Sequence, residues 1–211
     1  MDNNGVSAPP VAFRCFGNGN EIYERYHDRE WGRPIVEEHG LFERLCLESF
    51  QSGLSWLVIL RKRDGFRDAF AHFDPGVVAD FGAPKIEELL ANTAIVRNRA
   101  KIEATIANAR ATLGLSRQGL TLRELLWGLR PDEDGAPAQN LQDLPSFTVA
   151  TTELARQMKR LGFRFLGPTT LYYALQACGI VNDHLAACPV RAQVQALRSS
   201  VGPQPGSEEL H

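Results

Sequence analysis

The chain has 211 residues, of which 44% are hydrophobic and 23% charged, and it contains 18 glycines and 12 prolines. This composition excludes the disordered, collagen-like and low-complexity classes and indicates a folded globular protein. Its net charge of −2 shows no overall basic excess of the kind that is typical of nucleic-acid-binding proteins. The sequence shows neither a membrane-length apolar run nor a signal peptide, so we expect a cytoplasmic protein without membrane contact. We also expect a monomer.

Apolar residues recur at helical spacing through most of the chain. Residues 1–12 and 200–211 lack this spacing and are predicted to be disordered tails on either side of one domain at 13–199. The helical period first appears at 41–52, and it continues from LSWLVIL into GFRDAFAHF until Asp74-Pro75 breaks it. Further helices are predicted at about 84–91, 97–113, 121–129, 150–161, 168–178 and 189–198. No segment alternates as a strand does, so the predicted fold class is all-α.

Charge and proline are distributed unevenly along the chain. The segment PDEDGAPAQNLQDLP at 131–145 carries four acids and three prolines, which predicts a long loop that interrupts one domain or joins two lobes. Residues 21–48 have a net charge of −4, whereas 97–110 and 153–164 each have a net charge of +3. Each basic cluster is either a solvated helix face or a phosphate-binding surface.

Two cysteine–histidine pairs lie near opposite ends of the chain: Cys15 with His27, and His184 with Cys188. Taken separately, each pair is typical of buried cysteines and hydrogen-bonded histidines. The spacing of the second pair places both side chains on one face if that segment is helical. If the two pairs meet, they form a Cys2His2 set of the kind that holds structural zinc, and the metal would fasten the two ends of the chain together.

A group of aromatic residues and one acidic residue form a second candidate site. Tyr23, Tyr26 and Trp31 are close together in sequence, and Glu48 stands eight residues before Trp56. From the residues alone, core packing of the aromatics and a helix-face salt bridge for Glu48 are the favoured explanation. A carboxylate beside a buried stripe is nevertheless costly unless it is paired or used, so Glu48 is also a functional candidate.

Four longer strings resemble the DNA-3-methyladenine glycosylase I family. They are YHDREWG (26–32), LFERLCLESFQSGLSW (41–56), IVRNRAKIEATIANA (95–109) and FLGPTTLYYALQACGIVNDH (165–184), and the resemblance runs from about residue 14 to 188. It implies an all-α helix-hairpin-helix glycosylase fold with its hairpin at about 163–170. It also implies one structural Zn²⁺ ion, bound by Cys15, His27, His184 and Cys188.

The resemblance implies a monofunctional enzyme that hydrolyses the N-glycosidic bond of 3-methyladenine in alkylated double-stranded DNA, leaving an abasic site. The implied catalytic carboxylate is Glu48, with Asp183 as a lesser candidate, because Asn182 stands where related helix-hairpin-helix glycosylases carry an aspartate. No lysine follows Lys159, which argues against a Schiff-base lyase. The residues implied to bind the flipped base are Phe16, Tyr23, Tyr26, Trp31 and Trp56.

The resemblance also assigns DNA contacts. Gln51, Gly53 and Leu54 match a loop of the family that fills the gap left by the extruded nucleotide. The alternative interpretation of Leu54 is an ordinary leucine of the hydrophobic core. Gly167 and Thr169 lie at a predicted helix N-terminus, where backbone N–H groups suit a phosphate. The alternative function is a non-catalytic, zinc-stabilised protein that binds damaged DNA.

Overall fold

The computed structural model describes residues 13–132 and 135–202, so the predicted tail at 1–12 and residues 203–211 of the predicted tail at 200–211 lie outside the described residues. Within the described part the chain is helical and contains no strand, which confirms the all-α prediction. Two short 3₁₀ turns lie at Ala71–Phe73 and Leu141–Asp143. The helices are α1 Glu21–Arg29, α2 Glu38–Gln51, α3 Trp56–Ala69, α4 Pro75–Ala79, α5 Ala83–Ala91, α6 Arg99–Ser116, α7 Leu122–Trp127, α8 Val149–Arg160, α9 Pro168–Ala177 and α10 Arg191–Ser199. None of the described helices is long and apolar enough to cross a membrane.

Two of these helices, α1 and α4, were not predicted. Helix α1 contains few aliphatic residues, so its apolar period is weak, but the side chain of Asn20 accepts a hydrogen bond from Tyr23 N and caps its first turn. Asp74 does the same for Gly76 N at the start of α4, with Pro75 in the first helical position. Asp74-Pro75 therefore both ends one helical region and begins another.

The predicted continuation of α3 through AHF was wrong. Helix α3 ends at Ala69, and the next three residues form a separate 3₁₀ turn. Ala71, His72 and Phe73 all have positive φ angles, a conformation that an α-helix does not accommodate.

Helix α2 lies at the centre of the core. Its residues from Leu41 to Phe50 are buried, except for Glu43, and it packs against α3, α6, α7 and α9. A helix that is buried nearly all round needs apolar residues on every face, which LFERLCLESF supplies apart from its charged members. The C-terminal end of α2 emerges at the surface, where residues 52–55 lead into α3.

A short hairpin, residues 161–167, joins α8 to α9, and the two helices pack against each other. The side chain of Asn108, on α6, accepts a hydrogen bond from Arg164 N at 2.7 Å and donates one to Arg164 O at 3.1 Å. Gly167 is the N-cap residue of α9 and provides no side chain to bind the first N–H groups of that helix.

Both ends of the described chain meet beside the C-terminus of α9. Gly179 lies against the backbone of residues 32–34, so closely that a Cβ atom there would sit 2.4 Å from Gly32 O. Only glycine permits this approach, and Gly179 also has a positive φ of 72°. The contact brings the segment after α1 next to the segment that begins at residue 180.

Candidate functional site

A cavity of about 370 Å³ opens between α1, α2, α3 and α9. The structure brings together in its wall the six residues that the sequence analysis named for base binding or catalysis. These residues are Phe16, Tyr23, Tyr26, Trp31, Glu48 and Trp56. We call this cavity the aromatic pocket.

The aromatic rings hold one another in place around this pocket. The Tyr26 and Trp56 ring centroids are 5.5 Å apart, and Phe16 stands edge-on to Trp31 at 4.9 Å and to Tyr23 at 5.7 Å. The Tyr23 hydroxyl accepts a hydrogen bond from Leu57 N at 3.1 Å and so ties α1 to the first turn of α3. The pocket therefore presents several π faces on a fixed frame, which suits a flat ring.

Glu48 is the carboxylate of the aromatic pocket. Its residue is only 4% exposed, and no described residue donates a hydrogen bond to it. Burial raises the pKa of Glu48 to about 7, while the positive charge of Arg44 opposes that rise. A carboxylate left without an internal donor at the wall of a cavity is available to a ligand that brings a donor or a positive charge.

Six further residues that the sequence did not single out line the same pocket. Three of them come from the end of the predicted long loop, one directly follows that loop, and two come from α9. They are Leu141, Leu144, Pro145, Ser146, Tyr173 and Gln176. Composition predicted the loop, but nothing in its composition indicated which cavity its end would cover.

The Gln51–Leu54 turn lies at the edge of the pocket. Gln51 lines the pocket, and its Nε2 donates to Leu54 O at 3.2 Å. Gly53 has a φ of 81°, which the turn requires. Leu54 is 38% exposed, so the interpretation of Leu54 as a core residue was wrong.

Helix α9 connects the hairpin with the pocket. Thr169 and Tyr173 are four residues apart on α9 and therefore share one face, and Tyr173 lines the pocket. Gly167 and Thr169 are exposed just before that face. One face of α9 therefore runs from the exposed start of the helix to the pocket wall.

Two cations of the basic cluster at 97–110 bind backbone carbonyls elsewhere in the fold. Lys101 is buried, and its Nζ donates to Phe50 O at 2.8 Å and to Ser52 O at 2.6 Å. These carbonyls lie at the C-terminus of α2, where no N–H group further along the helix can donate to them, so the ammonium group of Lys101 supplies the missing hydrogen bonds. Arg110 similarly donates to Ala79 O. Arg97 is exposed and has no partner among the described residues.

The cluster at 153–164 is more open. Arg156 and Arg160 form exposed ion pairs with Glu153. The side chains of Lys159 and Arg164 are exposed and form no ion pair within the described chain. Lys159 lies in the last turn of α8, and Arg164 lies in the hairpin that follows it.

The two cysteine–histidine pairs meet in one buried group. The ligand atoms of Cys15, His27, His184 and Cys188 all lie within 4.8 Å of one another. The distances from Cys188 Sγ to His184 Nδ1 and to His27 Nε2 are 3.3 and 3.6 Å, and Cys15 Sγ lies 3.7 Å from His184 Nδ1. A tetrahedral ion with bonds of about 2.3 Å to sulfur and 2.0–2.1 Å to nitrogen separates neighbouring ligand atoms by about 3.5 Å.

The surroundings of these four residues also fit a metal ion. The ring nitrogen of His27 that does not face the other ligands lies 2.8 Å from Asp28 Oδ1, and that of His184 lies 3.1 Å from Trp31 O. These hydrogen bonds fix the orientation of both imidazole rings. Burial lowers the pKa of His27 and lowers that of His184 to about 4, which keeps both rings neutral as a metal requires. The group can therefore hold a metal ion.

His184 and Cys188 do not lie on a helix. Both fall in the irregular segment between α9 and α10, where Cys188 N donates to Leu185 O in a turn. Leu185 N also donates to Cys15 Sγ at 3.3 Å. The turn, rather than a helical face, brings the two ligands together.

Asp183, the lesser carboxylate candidate, is not part of the pocket wall. It accepts hydrogen bonds from the Tyr172 hydroxyl at 2.8 Å and from Gln176 Nε2 at 2.7 Å. The neighbouring Asn182 donates to Arg191 O and to Gln195 Oε1. Asp183 therefore orients Gln176 from behind the pocket, which leaves Glu48 as the carboxylate inside it.

Comparison with known proteins agrees with this arrangement. The model of the methyladenine glycosylase family matches residues 16–192. The chain is 38% identical to a DNA-3-methyladenine glycosylase of Haemophilus influenzae over 84% of this chain and 97% of that protein. It is 40% identical to DNA-3-methyladenine glycosylase 1 of Escherichia coli over 79% and 90%, respectively.

Solved structures give the same result. A crystal structure of 3-methyladenine DNA glycosylase I superposes with a TM-score of 0.81 at 40% identity, covering 84% of this chain and 98% of the other. The Staphylococcus aureus 3-methyladenine DNA glycosylase I, whose structure describes 3-methyladenine recognition, superposes with a TM-score of 0.80 at 34% identity, covering 84% and 95%.

Proposed function

Because the chain belongs to the methyladenine glycosylase family, we propose that it is a monofunctional DNA glycosylase that releases 3-methyladenine from alkylated double-stranded DNA. The reaction hydrolyses the N-glycosidic bond and leaves an abasic site. The observation that carries this proposal is a buried carboxylate without an internal hydrogen-bond donor, set among aromatic rings in one cavity.

The aromatic pocket suits a cationic purine. Alkylation at N3 makes the purine positive, so it is already a good leaving group and needs no protonation. Stacking of a cationic ring on Trp56 and Tyr26 adds roughly 0.5–2 kcal/mol of cation–π attraction to the stacking itself. Phe16 and Trp31 fill the opposite part of the pocket with edge contacts.

Glu48 selects the charged base. Neutral adenine would leave a buried carboxylate without compensation, whereas 3-methyladenine supplies the missing positive charge and an amine donor. The same carboxylate stabilises the positive charge that develops on the sugar as the bond to the base breaks, and water then attacks that sugar. None of the pocket-lining residues is a lysine, so the proposed enzyme lacks the amine that a lyase would use.

DNA is held beside the pocket by two elements. The exposed Leu54 enters the gap left by the flipped nucleotide, with Gln51 and Gly53 shaping the turn that carries it. The N–H groups around Gly167 and Thr169 bind a phosphate, as in a helix-hairpin-helix motif. The exposed cations of Lys159 and Arg164 add attraction that does not depend on sequence.

One Zn²⁺ ion, held by Cys15, His27, His184 and Cys188, completes the proposal. Two thiolates and two imidazoles fill all four positions of a tetrahedral ion, so the metal would be structural and would supply no reaction chemistry. Phe16 follows one ligand, and the Trp31 carbonyl faces another, so the site would set the pocket wall. We also expect a monomer that works in the cytoplasm.

Chromatography of bases released from methylated duplex DNA tests the activity, with metal analysis of the same preparation. Free 3-methyladenine should appear from the wild type, together with one zinc ion per chain. Glu48→Gln should lower the rate by about 10²–10³-fold, because it removes the charge but keeps the shape. Glu88→Gln, on an exposed surface, should leave the rate unchanged.

Binding measurements distinguish the alternative function. If the wild type binds methylated duplex DNA but releases no base, the protein is a zinc-stabilised binder of damaged DNA and the catalytic assignment is wrong. If Glu48→Gln loses DNA binding as severely as excision, Glu48 does not have the role given to it here.

A further inference from the structure

Arg44, which lies behind the aromatic pocket, has no role in the chemistry described so far. It is on α2, is only 7% exposed, and does not line the cavity. Its guanidinium lies 5.6 Å from the centre of the Tyr26 ring and 5.5 Å from that of Trp56, both of which do line the cavity. A buried arginine remains charged, so this is a fixed positive charge directly behind the pocket wall.

The hydrogen bonding of Arg44 is unusual for a buried cation. Its one hydrogen bond within the described chain goes from Nη1 to the Tyr26 hydroxyl at 3.4 Å. The nearby Glu30 attracts it but forms no ion pair with it, because that carboxylate is bound by Arg63. Arg44 and Glu48 are one helical turn apart on α2, yet they do not form an ion pair.

We propose that Arg44 is a positioning residue that favours the ionised form of Glu48 in the empty pocket and turns the hydroxyl hydrogen of Tyr26 towards the base. This proposal rests on the proposed function for its effect on excision. Arginine only donates, so the Tyr26 oxygen accepts and its own hydrogen is directed elsewhere, towards the cavity that Tyr26 and Glu48 share.

The charge effect follows from the surroundings of Glu48. Three titratable or charged groups interact electrostatically with this carboxylate: Tyr26 on α1, Arg44 on α2 and Cys178 at the end of α9. Arg44 is the only cation among these three. An ion pair would satisfy Glu48 internally and compete with the base. A cation one turn away stabilises the charge of Glu48 while leaving its oxygens to the ligand.

Replacing Arg44 with methionine separates this role from a structural one. A buried ion replaced by an apolar side chain of similar length is often neutral or stabilising, so Arg44→Met is expected to fold. An opposite charge nearby typically shifts a carboxyl pKa by 1–3 units, so Glu48 in Arg44→Met should titrate at least about one pH unit higher. Excision at pH 7 should then fall about fivefold and recover by about pH 9.

The direct readout is the carboxyl titration of Glu48, measured by infrared difference spectra between each protein and its Glu48→Gln counterpart. Arg44→Lys retains the charge and should restore the wild-type titration. Arg67→Met, which removes a more exposed arginine from α3, should not change the titration.

The proposal is overturned if Glu48 titrates at the same pH in Arg44→Met as in the wild type, or if lysine fails to restore the titration. These outcomes do not depend on base release. A wild type that releases no 3-methyladenine would refute the proposed function, while the titration would still decide the role of Arg44.

Discussion

The state of Glu48 links the site to the stability of the protein. A carboxyl group with an ordinary pKa of about 4.3 in the unfolded chain has a pKa of about 7 in the folded one, so the folded state binds more protons between these values. Stability therefore falls as pH rises through that window, by up to about 3 kcal/mol. The fold retains a charge that destabilises it, as expected for a residue kept for binding.

Glu48→Gln is expected to remove this pH dependence. Urea unfolding at pH 5 and at pH 8 should show similar stability for the variant, whereas the wild type should be less stable at pH 8. Glu88→Gln provides the comparison, because Glu88 is exposed and forms an ion pair with Lys85 at the surface. A variant that loses stability at pH 8 relative to the wild type would contradict the burial cost assigned to Glu48.

Single residues differed in how far the sequence revealed them. The four possible metal ligands and Glu48 were predictable, because soft ligands in pairs and a carboxylate in an apolar stripe are chemically conspicuous. Gln176 and Ser146 were not predictable, because a polar residue on a helix face or at the end of a loop is common and does not indicate a binding site. Lys101 was grouped with the surface cations at 97–110, because a lysine beside arginines gives no sign in the sequence that it binds backbone carbonyls in the fold.

At the level of elements, side chains on α6 hold the two elements expected to contact DNA. Lys101 binds the last carbonyls of α2 next to the Gln51–Leu54 turn, and Asn108 clamps the backbone of Arg164 in the hairpin. Both side chains are buried, so neither is expected to touch DNA directly. Helix α6 thus acts as a common support for elements that are far apart in sequence.

Lys101→Met should leave the carbonyls of Phe50 and Ser52 without their donor and cost about 1–3 kcal/mol of stability. Excision should fall because the Leu54 turn loosens, but the slope of log affinity against log salt should not change. Lys159→Ala, by contrast, should reduce the magnitude of that slope by about 1, since it removes an exposed cation. A flatter salt dependence in Lys101→Met would mean that Lys101 does reach phosphate.

Asn108→Ala should free the hairpin by removing both hydrogen bonds to Arg164. We expect weaker binding to duplex DNA and unchanged binding of free 3-methyladenine, measured by calorimetry, because the aromatic pocket is formed elsewhere. Thr105→Val is a suitable control, since Thr105 is also buried on α6 but its hydroxyl bonds to Lys101 O in its own helix and to Cys46 on α2, not to the hairpin. Equal losses of DNA and free-base affinity would show that the hairpin has no separate role.

Most helices were predictable because aliphatic residues mark their buried faces. Helix α1 was not, since its buried face consists of Tyr26 and His27. Its start at Asn20 and the acidic first turn were the signals available. The irregular turn that carries His184 and Cys188 also lacked a sequence mark, because it is fixed by contacts with Cys15 rather than by local preference.

For the whole molecule, the buried metal-ligand group joins segments that local structure does not connect. Cys15 and His184 are 169 positions apart. A cross-link that closes so long a loop is worth about 5 kcal/mol, which corresponds to about 10–20 °C in melting temperature for a domain of this size. We expect a chelator strong enough to strip zinc to lower the melting temperature by about that much.

Cys15→Ser should have the same effect and reduce zinc to well below one ion per chain. Binding of free 3-methyladenine should weaken as well, because Phe16 and Trp31 lose their anchor. Cys46→Ser removes a buried thiol from α2 instead, so it should lower stability while retaining one zinc ion. If Cys15→Ser retains its metal, the ligand assignment is wrong.

The meeting of the two chain ends at this buried group also has a consequence for synthesis. Residues 15–31 leave the ribosome well before the segment that ends at Cys188, and they cannot take their places around the pocket until that segment has followed. The helical core has no such requirement, since α2, α3 and α6 are complete much earlier. A nascent chain should therefore acquire a packed core before it acquires a base-binding pocket, and chains truncated before Cys188 should fold in part without binding 3-methyladenine.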